Sequence, residues 1–547
     1  MKIKKIFNDS RFYHNSYFLY LIILFYYLVN LNYLFKGGIV YDDWSLATGY
    51  LDFSFIDRIK VNVSLFFNTR PVGGLYVGLI TGVGKNDFVY IFLNSGLWLL
   101  SGLILYQTIA KALSYKTAKI FIILFLFPSF ASTPFFSPVT QSLGGLSIFF
   151  WSLSIYFSYK KNFNLIAFFY ILSVLSYEIS VVLFLFNIFF FISKDESFFK
   201  KKNIFTELRN LIIKFSLLIF CIVIFQFIVA KLTGNSAPLK YAFSFVDSYL
   251  IFEEDFFSNI KKYFFKPITL ILFDIPNLFF NSLRFIEFNF YNFLIYLIFF
   301  LTFIIFIKGE NKKNNSLQLI IFFIFILLSS MFVFFMYLIV ASVPQVNGYY
   351  NRGLLGLFIC FALFISFLNE IKIKETLTKK VLSMLIFTII FLNLNSFIIQ
   401  KNNNVEANIK REKILTKVKM FFKDKESSNL VMMVPTYLKN NYNDETIFSE
   451  EVDDLHFAVN YSTNNKIYGR RVFYSKNCED IIKIVDNSLY GYVPSRNRKK
   501  PGMIKIEIIK TLNNKDLYLF YKNEFIKLKN NNTNNNQILS ENIKCSL

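Results

Sequence analysis

Four short stretches of this chain carry residues whose types could do chemistry. The first is Tyr41-Asp42-Asp43-Trp44, a few residues after the first long apolar run. Adjacent carboxylates beside a membrane boundary repel one another and lose hydration unless a cation, a metal or a substrate proton relieves them. Such a pair suits general-base work or the binding of a divalent ion. The plain alternative is a solvated loop whose Trp44 anchors at the lipid headgroups. The second stretch is Asn68-Thr69-Arg70-Pro71, followed by Gly73 and Gly74. Arg70 offers a rigid fork of donors for a phosphate oxygen, and Pro with paired glycines shapes a tight loop. A basic residue at the membrane interface is the simpler reading. In the third, Tyr349-Tyr350-Asn351-Arg352, Arg352 runs against the inward bias of positive charge. It points to an anionic headgroup or to a carboxylate such as Glu178. Glu178 itself follows Ser176-Tyr177 between apolar runs. It either takes part in function or pairs with an arginine and holds helices together.

Helices in a membrane must position these residues. The chain of 547 residues is 54% hydrophobic and contains 73 phenylalanines. Its apolar residues arrive as uninterrupted runs that water-soluble packing cannot hide. The abundance of Phe, Ile, Lys and Asn reads as the bias of an AT-rich genome. A net charge of +23 does not point to nucleic acid, because the lysines cluster at the ends of the apolar runs. The positive-inside rule and anionic lipid hold them there. With His14 and His456 as the only histidines, a histidine metal site or a histidine-based triad has no support. Cys221 and Cys360 fall inside apolar runs and read as small core residues. Cys478 and Cys545 can pair only if the tail is external.

Residues 16–35 form a retained first span, with Lys2, Lys4 and Lys5 behind it and the N-terminus cytoplasmic. An external stretch over 36–87 follows, with an amphipathic segment at 53–67. Spans are expected at 88–110, as a short pair between 120 and 159, and as a second short pair over 162–193 that turns near Glu178. That turn places Glu178 on the outer side, level with the first loop. Residues 211–230 go out, and 231–291 are external, with an interfacial or re-entrant piece at 267–280. Further spans follow at 291–307, 317–341, 353–368 and 381–399. The result is an all-α polytopic domain over 1–400 with about ten or eleven transmembrane helices. A soluble, external α/β domain is expected over 401–547, with strands at 430–435 and 503–509, helices at 450–460 and 479–488, and a disordered Asn-rich stretch near 530–536. This composition places the chain in the plasma (inner) membrane.

An acidic pair in the first external loop, followed by Arg-Pro before the next span, resembles the bacterial GT-C class of polytopic glycosyltransferases. Tyr41-Asp42-Asp43-Trp44 and Thr69-Arg70-Pro71 carry the resemblance, with Ser176-Tyr177-Glu178 and Tyr350-Asn351-Arg352 as looser matches. The similar architecture extends over residues 1 to about 400, and an external C-terminal domain is common in that class. The resemblance implies a polyprenyl-phosphate sugar donor approached from the bilayer, and an acceptor hydroxyl on an envelope glycan, lipid or protein. Asp42 or Asp43 would be the catalytic base. Trp44, Arg70, Glu178, Tyr350 and Arg352 would bind substrate, with Arg70 and Arg352 opposite the departing phosphate. No cofactor is required by this reading. A divalent cation, magnesium or manganese, stays open, with Asp42 and Asp43 as its ligands. The zinc site of some relatives has no histidine support here. The competing readings are a surface-polysaccharide polymerase or ligase, and a transporter or flippase of lipid-linked sugars. The tail argues against the former. The location of the ionisable residues at one face, without an internal repeat, argues against the latter.

Overall fold

In a computed structural model of the chain, the described residues are 10–40, 43–48, 53–67, 69–194, 198, 204–232, 266–286, 289–306, 316–339, 346, 349–371, 376–422, 458, 461, 462 and seven strand segments beyond residue 430. They are mostly helical. Among the described residues, six helices are long and apolar enough to cross a membrane: Tyr17–Lys36, Asp87–Ala112, Thr206–Phe225, Ser316–Met336, Asn351–Glu370 and a window within Leu377–Phe421. Shorter apolar helices cover Pro71–Gly82, Phe163–Ser176, Glu178–Ser193 and Phe290–Phe303. The chain is a membrane protein by this content. The outward faces of the long helices fit that medium: Tyr20, Leu24 and Phe35 on the first, and Met331 and Phe335 on another, are exposed.

The chain divides into two compact units, residues 1–35 with 53–402 and residues 36–52 with 403–547. In the first unit the sequence sets the helix ends directly. Ser54, Asn86, Ser114 and Asn162 each precede a helix and accept a hydrogen bond from the backbone N–H three residues on, supplying the partner that helix N-termini lack. Helix α1 (Ser10–Lys36) extends the expected first span. Helices α2 (Asp43–Thr48), α3 (Phe55–Phe66) and α4 (Pro71–Gly82) occupy the stretch expected as a loop.

Helix α4 corrects the sequence reading. Pro71, Gly73 and Gly74 look like loop punctuation, but Pro sits at the start of the helix, where its missing N–H costs nothing. The glycines at 74, 78 and 82 form a stripe against α3. A Cβ at Gly78 would stand 2.8 Å from Ile59 Cα, and one at Gly74 would stand 2.8 Å from Asn62 O. Small residues at this spacing let two backbones approach closely, the usual device where lipid supplies no hydrophobic drive between helices. Arg58 closes the far end by donating to Thr81 O at 3.0 Å. Gly78→Val is therefore expected to cost about 1–3 kcal/mol through overpacking. The measurement is the midpoint of denaturation in detergent, and an unchanged midpoint would show that the two helices part freely.

Helices α5 (Asp87–Ala112), α6 (Tyr115–Phe125), the single turn α7 (Thr133–Phe136), α8 (Ser142–Lys160) and α9 (Phe163–Ser176) follow. As expected, the chain turns at Glu178, here a 3-10 segment, Glu178–Leu183, that leads into α10 (Phe184–Ser193). Helix α11 (Ile204–Leu232) carries Cys221 on an exposed face, so Cys221 is not the core residue expected of it, whereas Cys360 is buried. The piece expected as interfacial or re-entrant is helical, with a π-helical stretch at Leu270–Asp274 between Lys266–Thr269 and α12 (Ile275–Arg284). Helices α13 (Phe290–Phe306), α14 (Ser316–Ile339) and α15 (Leu355–Phe367) come next.

The last helix, α16 (Thr376–Phe422), is the second correction. The change to polar residues at Lys401 does not end it. Its buried polar side chains bond to backbone carbonyls of other helices and loops: Asn393 to Phe127 O, Asn395 to Ser282 O, Gln400 to Ser129 O and Lys401 to Val29 O, at 2.6–2.9 Å. At the position where composition alone reads a domain boundary, Lys401 is buried and bonded to a backbone carbonyl inside a core.

The α/β domain expected over 401–547 is not supported. Residues 401–422 continue α16. Apart from 458, 461 and 462, which are helical, the described residues after 430 are strands: β1 (Val431–Met433) lies between parallel β2 (Val472–Phe473) and β6 (Leu517–Tyr521), and β6 pairs antiparallel with β7 (Glu524–Leu528). An antiparallel set joins β3 (Lys483–Val485), β4 (Ser488–Val493) and β5 (Lys505–Ile509). The helix expected at 479–488 overlaps strand β3. The helix expected at 450–460, except for Ala458, lies outside the described residues. So do Cys478, Cys545 and the Asn-rich stretch.

Candidate functional site

Arg70 stands at the turn between α3 and α4. Its N–H bonds to Phe66 O at 2.6 Å, and its carbonyl accepts from Gly74 N at 2.8 Å. The first turn of α4 then runs against the end of α9, where a Cβ on Gly73 would lie 2.9 Å from Ser176 O. That close approach brings Arg70 to the two residues that follow Ser176. Arg70 Nε donates to Glu178 Oε2 at 2.9 Å and Oε1 at 3.1 Å, and its Cζ lies 4.3 Å over the Tyr177 ring. Of the alternatives for Glu178, pairing with an arginine is therefore the arrangement found.

Serines hold the acid in place. Tyr177 is extended, with φ −162° and ψ 133°. Its carbonyl accepts from Ser147 Oγ at 3.0 Å, while Ser173 Oγ donates to Ser147 O at 2.6 Å. Glu178 then opens the 3-10 segment with a fixed backbone behind it. Helix α15 packs on that segment, since a Cβ at Gly356 would stand 3.0 Å from Val182 Cγ2 and 3.6 Å from Ile179 Cγ1. Arg352 lies one turn earlier, in the 3-10 segment Tyr349–Leu354. Its neighbour Asn351 is buried and fixes the segment: its Oδ1 accepts from Thr133 N at 2.9 Å, and its Nδ2 donates to Ser132 Oγ at 3.2 Å.

The electrostatics follow from these contacts. Burial works to lower the Arg70 pKa, but Glu178 and Tyr177 outweigh it, and the guanidinium is held above its ordinary value. Arg352 acts in the opposite sense, the signature of a second cation within electrostatic reach. Arg70 is 29% exposed, and of its N–H groups the pair with Glu178 engages Nε. Among the described residues, Nη1 and Nη2 of Arg70 have no hydrogen-bond partner. The result is an anchored guanidinium whose Nη edge is unengaged among the described residues, with another arginine in its field. Such an edge is shaped for two oxygens of one phosphate.

Asp43 and Trp44 belong to the other unit. Both are buried, so the solvated loop with a headgroup-anchored tryptophan is not what the structure contains. Asp43 Oδ2 accepts from Val40 N at 3.3 Å, and Asp43 N donates back to Val40 O at 3.1 Å. The Trp44 ring lies 6.5 Å from that of Tyr461. Asp42 lies outside the described residues, as does the side chain of Tyr350. Among the described residues, no group of three or more His, Cys, Asp or Glu side chains comes together that could hold a metal ion.

The structure thus gathers Arg70, Glu178 and Arg352. It adds Tyr177 under the guanidinium and Asn351 behind the second arginine, residues the sequence reading quoted only as neighbours. No family model, curated protein or solved structure matches the chain.

Proposed function

We propose that this protein is a membrane glycosyltransferase that moves a sugar from a polyprenyl-phosphate donor to an acceptor hydroxyl outside the membrane by inverting attack. The observation that supports this reading most is the Nη edge of Arg70, unengaged among the described residues and anchored through Nε on Glu178 with Arg352 in its field. A lipid-borne phosphate is an anion that reaches a membrane protein from the bilayer, and a guanidinium fork matches its oxygens. In the proposed reaction, Asp42 or Asp43 takes the proton of the acceptor hydroxyl. The acceptor oxygen bonds to the anomeric carbon while the bond from that carbon to the phosphate oxygen breaks. The leaving polyprenyl phosphate carries close to two negative charges, because its last pKa is about 6. It needs no acid. It needs cations positioned before the bond breaks, and Arg70 and Arg352 are those cations. The ten-or-eleven-span topology, with a cytoplasmic N-terminus and an external C-terminal part, is part of the same proposal.

The test uses the whole chain in lipid nanodiscs with a panel of radiolabelled polyprenyl-phosphate sugars and a crude envelope acceptor fraction. Sugar is expected to leave one donor of the panel and appear on the acceptor, with free polyprenyl phosphate as the second product. If no donor is consumed, while vesicles containing the protein carry lipid-linked sugar across the bilayer, the flippase reading replaces this one.

A further inference from the structure

The peptide that leads from α1 to Asp43 is held by two buried side chains far away in the sequence. Asn408 Nδ2 donates to Lys36 O at 3.2 Å, and Arg411 Nη1 donates to Ile39 O at 2.6 Å. Both lie one turn apart on the C-terminal part of α16, and Arg411 Nη1 also reaches Asn408 Oδ1 at 3.3 Å. Gly38 is the point of closest approach, since a Cβ there would overlap the Asn408 carboxamide. The next residue after Ile39 is Val40, whose N–H donates to Asp43 Oδ2. Asn408, Arg411, Ile39, Val40 and Asp43 are all under 9% exposed. A chain of hydrogen bonds therefore runs from the guanidinium of Arg411 through the main chain at 39–40 to the carboxylate of Asp43.

A buried guanidinium costs several kcal/mol unless its site returns it. Arg411 brings a rigid, planar donor group to this peptide, and its Nη1 reaches both Ile39 O and the Asn408 carboxamide that holds Lys36 O. From this geometry we infer that Asn408 and Arg411 are positioning residues for Asp43, fixing its carboxylate through the 36–43 peptide for the proton transfer. The catalytic half of this inference rests on the glycosyltransferase reading. The mechanical half does not.

The experiment measures both halves on the full chain in nanodiscs, comparing native protein with Arg411→Ala, Arg411→Lys, Asn408→Ala and the exposed control Lys410→Ala. Amide hydrogen exchange over residues 36–48 reports the hold on the peptide. It is expected to become about tenfold faster in Arg411→Ala, the scale of one lost hydrogen bond to a charged group, with exchange in α5 unchanged. Steady-state sugar release is expected to lose about 10²-fold in kcat, the size of an ångström-scale misplacement, at an unchanged KM for the lipid donor. Arg411→Lys should recover part of both, and Lys410→Ala neither. Should Arg411→Ala loosen α5 as well, Asn408→Ala supplies the reading. Unchanged exchange in both alanine variants overturns the inference, and so does faster exchange with native kcat. If exchange responds while the native chain transfers no sugar, the hold on Asp43 stands and the glycosyltransferase reading falls.

Discussion

A chain carrying both Asp42→Asn and Asp43→Asn is expected to release sugar from its lipid donor about 10²–10⁴-fold more slowly than the native protein, the usual share of a positioned base. Asparagine has nearly the size of aspartate but cannot take a proton at neutral pH, so the loss should fall on kcat. The fold gives a reason to trust the substitution at position 43. Asp43 Oδ2 accepts the N–H of Val40, and the amide oxygen of asparagine can accept the same bond. The tie between position 43 and the peptide at Val40 is therefore kept. Single variants then assign the base, the one with the larger loss being the proton acceptor. Normal turnover in both single variants would remove the acidic pair from the chemistry and leave Asp43 as a structural side chain.

Much of the membrane architecture is legible in the sequence because the signal is physical and long-range. Twenty apolar residues flanked by lysines admit few readings, and the expected spans at 88–110 and 317–341 lie within two residues of the helices Asp87–Ala112 and Ser316–Ile339. The turn at Glu178 was readable for the same reason: the apolar run was too long for one span and basic at both ends. What escaped the sequence are features whose local signal points the other way. Gly73 and Gly74 suggest a tight loop, yet together with Gly78 they mark the contacts that seat α4 against α3 and α9. Lys401 and the polar residues after it suggest the start of a soluble domain, yet Lys401 bonds into a core and α16 runs on to Phe422. Cys221 suggests a buried residue, but a helix surrounded by lipid can turn any apolar residue outward without penalty.

The site was legible in its residue types and not in its pairings. Arginine near aromatic and acidic residues is a common sight. Only the contact of Gly73 with Ser176 O brings residues 70 and 178 together across more than a hundred positions. The sequence left Glu178 open between a functional role and a partner for arginine, and the geometry contains the pairing: Glu178 engages Arg70 through Nε, and among the described residues the Nη edge stays unengaged. Asp43 shows the converse. Its neighbour Trp44 reads as a headgroup anchor, whereas burial and the hold from Arg411 belong to a packed element.

Arg70→Ala is expected to lower kcat for sugar release by about 10²–10³-fold, the cost of removing one preorganised donor from a developing anion. The argument rests on where the charge appears. The donor phosphate already carries charge before reaction, so part of the Arg70 contact is spent on binding and should appear as a raised KM. The remainder grows as the bond to the anomeric carbon breaks, and that part appears in kcat. Arg70→Lys keeps the positive charge but loses the planar fork, whose separate nitrogens can serve Glu178 and the phosphate in fixed directions. It should recover KM more fully than kcat. Glu178→Gln isolates the anchoring role, because it leaves the guanidinium intact while weakening its seat on Nε. Its loss in kcat should be smaller than that of Arg70→Ala. Because both partners are partly exposed, at 29% and 35%, breaking the pair should cost only about 1 kcal/mol in stability. A large rate loss at nearly native melting is then the distinguishing result. If Arg70→Ala turns over at the native rate, the Nη edge of its guanidinium has no part in the reaction. The phosphate would have to be held elsewhere, with Arg352 the first residue to test.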